Sequence, residues 1–351
     1  MPVTPAPATA PAVAVAVVTH TAPATLPLVL SALATQAPFG AVTVLFTGAP
    51  GSTAHTRAHR AAAAVGACVD ETGTPLRIGA ARAWHLTHLA ATAPHLTHVA
   101  FLDDDCPPRP GWWMAALAAA DGGAVLAFGP RHPARPQGAG GRIRAWEAES
   151  SAKVTAARTA PTLVRHAPSM MVAGGNMLVD LRVAHAHGIT APAFACGAFE
   201  DVDYQLRLAE AGFADRIRFD PRMATDHHDH LGARALLYKS ALSGQGLARC
   251  RTLHGARLWN LSRWRPCRTL LRTCRSAYGA HELPYSLRLL TLVRAATVAA
   301  AYTAARLHQL AALRARDRDH QTPPLHRDAG GGLQLGGAPL TPAEQVGGVG
   351  G

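Results

Sequence analysis

The chain lacks the short signatures that fix a protein's class directly. It has no GxGxxG turn and no Walker lysine motif, which disfavours a dehydrogenase or an ATPase. A net charge of +12, carried almost wholly by arginine, comes without any zinc-finger, basic-zipper or RNA-sheet signature. No nucleic-acid partner is therefore expected. The six cysteines (Cys68, Cys106, Cys196, Cys250, Cys267 and Cys274) form no CxxC pair and no regular framework, which fits reduced thiols. The apolar run Val13–Val18 is too short for a signal-peptide core and no basic leader precedes it. A cytoplasmic location is the expectation.

What is present supports a large core, since 48% of the 351 residues are hydrophobic. Residues 1–12 alternate Pro, Ala and Thr and read as a disordered tail. Then apolar strand-like runs alternate with helical patterns. Val13–Val18, Ala41–Phe46 and Cys68–Val69 read as strands, and Thr25–Gln36, Thr53–Val65 and Ala80–Thr92 as the helices between and after them. That alternation predicts a mainly parallel sheet with right-handed crossovers. Ala124–Phe128 reads as a further strand, Arg131–Arg144 as a mobile Pro/Gly/Arg loop, and Met170–Val179 as a strand broken by Gly174 and Gly175 where a backbone approaches a ligand.

The chain's chemistry gathers around His98–Trp113, where a buried strand ends in Asp103, Asp104 and Asp105 and then a Pro-rich turn. Open α/β sheets bind ligands at that edge. Asp103 and Asp105 stand two apart, so an extended backbone points them the same way, and a divalent cation would turn their mutual repulsion into attraction. A second acidic cluster, Phe199-Glu-Asp-Val-Asp-Tyr204, leads into a helix over Gln205–Ala211 that Gly212 ends. Further on, Phe219–His230 reads as a strand end bearing three histidines.

With these pieces in this order, residues 13–246 resemble the family 2 glycosyltransferases of the GT-A fold. The likeness rests on Val17-Val-Thr-His-Thr21, on Phe101–Pro110 as an Asp-x-Asp motif, on Gly175–Val179 followed by Glu200–Leu208 as the acceptor-side segment, and on His228–His230 with Tyr238-Lys239 and Gly244-Gln-Gly246. It implies an α/β fold with a Rossmann-like nucleotide-binding sheet flanked by helices and a C-terminal helical extension. It also implies a metal-dependent inverting transfer of a sugar from a nucleotide-diphosphate donor to an acceptor hydroxyl on a glycan, a lipid-linked sugar or a small metabolite. Asp103, Asp105 and His228 are the implied ligands of Mn2+ or Mg2+, with His227 as alternative because the match shifts by one residue. Thr19, Arg82 and Asp104 fall on the nucleotide side. Asp201 is the first choice as base and Glu200 the second. Two features depart from the pattern: Phe46-Thr-Gly48 has no base-reading acid, and Ala81-Arg82-Ala83 keeps only the arginine.

The catalytic domain is expected over 13–248, a basic and apolar helical extension over 249–315, and a disordered Gly/Pro-rich tail over 316–351. In the extension, arginines from Arg249 to Arg275 interleave with Trp259, Trp264 and several leucines, which suits peripheral contact with an anionic membrane or docking on the catalytic domain. Arg288, Arg294 and Arg306 interrupt Leu283–Leu313, so no apolar span of ~20 residues is expected there. Two rivals remain. Thr225-Asp-His-His228 contains the Asp-His-His string of a two-metal phosphoesterase family, and a non-catalytic nucleotide or carbohydrate binder would share the fold.

Overall fold

A computed structural model describes residues 12–38, 40–134, 136–155, 162–163, 172, 174–189, 198–254, 275 and 283–320. The tails, Met170-Met171 and the Trp/Arg-rich run from 255 to 274 lie outside the described residues. So does the proposed membrane contact insofar as it rests on that run.

The first half winds as the alternation predicts: β1 (Val13–Thr19), α1 (Leu26–Ala34), β2 (Val42–Phe46), α2 (Thr53–Ala63), β3 (Cys68–Glu71), α3 (Ile78–Thr92) and β4 (His98–Asp103). After it come α4 (Trp112–Asp121), β5 (Leu126–Phe128), β6 (Arg131–Pro133), α5 (Gly138–Thr155), β7 (Thr162–Leu163), β8 (Asn176–Asp180), α6 (Leu181–Ala186), α7 (Glu200–Leu208), β9 (Ile217–Phe219), β10 (Thr225–His227), α8 (Ala233–His254) and α9 (Tyr285–His320). Eight strands form one sheet in the order β3-β2-β1-β4-β8-β5-β9-β7, and β6 and β10 pair separately. The α/β expectation is met.

β1 shows why the strands read as unbroken apolar runs. Val13, Val15 and Val17 face a core layer with α1, α2 and α4, while Ala16 and Val18 face the opposite layer with α3, α6 and α7. A strand covered on both faces has no polar side to alternate with. β1 and β4 run parallel and end together at Val18 and Asp103. β8 runs antiparallel to β4, pairing Leu102 with Asn176. Its entry through Gly174-Gly175 therefore lies at the edge where the acidic strand ends.

Three sequence readings change here. Arg131–Arg144 is not a loop: β6 pairs in parallel with β10, Arg131 opposite Thr225, and α5 begins at Gly138. The pairing partner is remote in sequence, so no local pattern announces it. The helix after the second acidic cluster starts at Glu200 rather than Gln205, and a π turn carries it through Ala209–Phe213, where Gly212 takes φ 92°. The C-terminal stretch forms one helix, and Tyr285–Ala312 is by length and composition apolar enough to cross a membrane, with mean hydropathy 1.2 over an 18-residue window. Its arginines are too widely spaced to break that window. α9 docks through Leu287, and Leu283 just before it joins the same cluster with Ile143 and Leu236, while Arg251 donates to the Tyr302 hydroxyl at 3.1 Å. The described residues through His308 form one compact unit, and those from Gln309 to His320 belong to a second.

Candidate functional site

β4 is extended only as far as Asp103; Asp104 and Asp105 lie in the turn after it. The two-apart alignment of Asp103 with Asp105 therefore does not hold, and each carboxylate finds its own partner. Asp103 Oδ1 takes a hydrogen bond from Arg82 Nη2 at 2.7 Å, Asp104 Oδ2 takes one from Thr19 Oγ1 at 2.5 Å, and Asp105 Oδ2 lies 3.5 Å from His227 Nε2. All three aspartates line a cleft of about 690 Å³ together with His20, Arg77 and Lys239, a size suited to a small-molecule ligand.

The Pro-rich turn explains how His227 arrives. Arg109 N–H donates to Ala224 O, Asp226 N–H to Pro107 O and His228 N–H to Asp105 O, each at 2.9 Å. This ladder lays Asp105–Arg109 along β10 with its register fixed. The imidazole it sets against Asp105 is that of His227, the alternative ligand. His228, the first choice, meets Asp105 through its backbone N–H, and its ring centroid lies 6.5 Å from that of His230. Burial alone would raise the Asp105 pKa, but the bond and charge of His227 outweigh it and hold it at about 2.

Asp105, Cys106 and His227 put donor atoms within 4.8 Å of one another. Burial raises the Cys106 thiol well above its ordinary pKa, with Asp105 and Asp103 adding to the effect. Asp105 and His227 offer one carboxylate and one imidazole, which suits Mn2+ and less well Mg2+.

The second acidic cluster reaches the first through a buried guanidinium. Arg82 is 4% exposed, and besides Asp103 it faces Glu200, Nη1 to Oε1 at 3.5 Å. The two glycines permit this crossing: a Cβ on Gly174 would sit 2.1 Å from Arg82 Nη1, and one on Gly175 would sit 2.2 Å from Asp103 Oδ2. The close approach read from the sequence is thus to the protein's own ion pair. Asp201 is held by two backbone donors, Gly174 N–H at 2.7 Å and its neighbour Val202 N–H at 2.8 Å. Glu200 is freer. Burial and the adjacent Asp201 push its pKa to about 7 against the pull of Arg82, and its Oε2 is buried without a hydrogen-bond partner among the described residues. Arg82, Glu200, Asp201 and Tyr204 line a narrow cleft, where the Tyr204 hydroxyl also lacks a partner among the described residues.

Of the three residues expected on the nucleotide side, Asp104 lines the large cleft. Thr19 spends its hydroxyl on Asp104 and on the Ala22 N–H at 3.0 Å, and Arg82 is engaged by the two acid clusters. Burial, with Asp105 and Asp103 close by, raises the Asp104 pKa to about 7 despite the Thr19 bond.

Comparison with solved structures finds similar chains. A mycobacterial protein shares 18% identity at a TM-score of 0.49, covering 70% of this chain and 75% of that one. Glucosyl-3-phosphoglycerate synthase from Mycobacterium tuberculosis, in complex with Mn2+, uridine diphosphate and glucosyl-3-phosphoglycerate, shares 16% at 0.47, covering 70% and 80%. S. aureus TarS 1-349 shares 14% at 0.43, covering 86% and 92%. No family model and no curated protein matches the chain.

Sequence reasoning missed Arg131. It sits at the start of β6, where Asp103, Asp201 and Asp105, with Cys106, raise its pKa over the opposing effect of burial. Its only sequence signal was a place in a supposed loop. Arg77 and Lys239 were not singled out as ligand contacts either, since lone cations carry no pattern.

Proposed function

We propose that the chain is a metal-dependent glycosyltransferase that moves a sugar from a nucleoside-diphosphate donor to an acceptor hydroxyl. The observation that carries this reading is the convergence of both acid clusters on Arg82 at the C-terminal edge of the sheet, beside a cleft lined by Asp103–Asp105, Arg77 and Lys239. Asp105 and His227 would hold Mn2+ or Mg2+, which when bound neutralises the charge that grows on a departing diphosphate. Arg77 and Lys239 offer the phosphates further positive charge from the cleft wall. Arg82 and Thr19 hold Asp103 and Asp104 in place.

Asp201 is the proposed base for the acceptor hydroxyl. Its carboxylate is aimed by two N–H donors, and a single in-line displacement assisted from that side inverts the sugar carbon. A second reading gives the proton to Glu200, favoured by an oxygen without a partner among the described residues and its pKa of about 7. The pH profile separates them. A base with a pKa of about 7 must be deprotonated to act, so with Glu200 as base kcat/KM rises through pH 7 and Glu200→Gln removes that rise. Release of nucleoside diphosphate from a panel of nucleotide sugars with Mn2+ and added acceptors tests the reading as a whole. Activity confined to phosphate release without any acceptor would replace it with the phosphoesterase reading. Against that rival, the Asp226 carboxylate of the Asp-His-His string is taken by Arg109 at 2.7 Å.

For the membrane, α9 leaves Leu289, Val293 and Leu307 exposed, and Leu289 and Leu307 stand eighteen positions, or five helical turns, apart on one face. We propose that this face meets an anionic bilayer. Pelleting with anionic liposomes at low and high salt is the test, and absence of binding at both removes the proposal.

A further inference from the structure

The end of β3 carries a cluster for which the transfer chemistry has no use. Glu71 closes that strand, and α2 lies over it with His55 and His59 one turn apart on the same face. His55 Nε2 is 3.0 Å and His59 Nε2 2.8 Å from the same oxygen, Glu71 Oε1, and the two nitrogens are 3.2 Å apart. A cation with tetrahedral ligands at ~2.0–2.1 Å places neighbouring donor atoms ~3.3 Å apart. The observed triangle already has nearly the dimensions of one face of such a shell.

As a bare hydrogen-bonded group the cluster is poorly matched. Two ring nitrogens crowd one carboxylate oxygen, and if both donate to it their N–H groups also face each other. Yet the parts are held firmly. The Phe46 ring meets His55 edge-on at 5.3 Å, the two imidazoles lie 4.4 Å apart, and Ser52 Oγ caps α2 by accepting from His55 N–H at 3.1 Å. Glu71 is fixed by its register opposite Phe46 on β2. The His59 and Glu71 side chains are 44% and 34% exposed, so a fourth position opens to water.

We propose that His55, His59 and Glu71 form a surface site for a borderline transition ion, Zn2+ foremost, distinct from the Asp105–His227 pair. Two imidazoles to one carboxylate favour Zn2+, Co2+ or Ni2+ over the oxygen-seeking Mg2+ and Ca2+. The ion would staple α2 to β3. The chain leaving β3 forms a wall of the large cleft: Leu76 N–H donates to Thr47 O at 3.2 Å, and Pro75 and Leu76 line the cleft. A staple at Glu71 therefore steadies that wall. None of this depends on the transferase reading.

The test uses the full chain carrying Asp105→Asn and His227→Gln, so that the other pair is silent. Co2+ is titrated and followed by its visible absorption, and Zn2+ is followed by thermal unfolding. The proposal expects one Co2+ with the intense spectrum of a tetrahedral site, displaced by Zn2+ but not by Mg2+, and a Zn2+-dependent rise in Tm. Adding His59→Gln, at an exposed helical position, should weaken Co2+ binding at least about tenfold and abolish the Zn2+ effect, and Glu71→Gln should weaken binding in the same direction. Equal Co2+ affinity and spectrum with and without His59→Gln would overturn it, as would no Co2+ bound by the starting chain.

Discussion

At the end of β4 every carboxylate has a partner of its own: Asp103 with Arg82, Asp104 with Thr19, Asp105 with His227. At the start of α7 the two acids differ. Asp201 is pinned by backbone N–H groups, while Glu200 keeps one buried oxygen without a partner among the described residues and a pKa of about 7. The first cluster is held in place by its side-chain partners, and His227 keeps Asp105 ionised, although burial raises Asp104 to about 7. The second holds one acid still and leaves the other poised. A fixed anionic edge suits a cation and a diphosphate, and a poised pair suits proton transfer.

The contrast can be broken at several points. The largest effect is expected from Asp201→Asn, which should lower transfer by about 10²–10⁴ while leaving donor affinity within a few-fold, as read by kcat and by donor titration. A fall in donor affinity with kcat intact would move Asp201 to the binding side. Next, Arg82→Met leaves Asp103 and Glu200 facing each other without their shared cation, and should destabilise the fold by about 3–5 kcal/mol in denaturant unfolding. Gly175→Ala drives a methyl into Asp103 Oδ2 and should cost about 1–3 kcal/mol, with a loss of activity larger than the loss of folded protein.

The smallest effect lies away from the edge. Burial pulls the His254 imidazole down, but Asp203 and Glu210, each 2.9 Å away, outweigh it and leave its pKa above the ordinary 6.5. A histidine raised in the folded state stabilises fully below its unfolded pKa and loses that contribution as pH rises through the folded one. His254→Gln should therefore lower Tm more at pH 6 than at pH 9. Equal losses at both would show that the ring acts by packing alone.

Much of this was legible in the sequence, for reasons that particular residues make plain. Val13–Val18 and Val99–Leu102 are apolar on both faces because both faces are covered, and the acids that end the second run line the large cleft. The Glu-Asp pair was legible as an acidic cluster ahead of a helix, although the helix begins at Glu200 itself. The phase of the histidines was not, since a three-hydrogen-bond ladder between the Pro-rich turn and β10 decides that His227 rather than His228 turns its ring to Asp105. The pairing of β6 with β10 was equally hidden, and with it Arg131 among the carboxylates. Gly174 and Gly175 were visible as a point of close approach, but only coordinates reveal that the group approached is the Arg82–Asp103 pair.

The central claim is that Asp105 and His227 together make a cation-dependent seat for a nucleoside diphosphate. It is tested most directly by thermal unfolding of the wild-type chain and of Asp105→Asn with a panel of nucleoside diphosphates, with and without Mn2+. At least one diphosphate is expected to raise Tm only when Mn2+ is present, and Asp105→Asn to abolish the rise. Stabilisation that ignores Mn2+, or that survives Asp105→Asn undiminished, would contradict it.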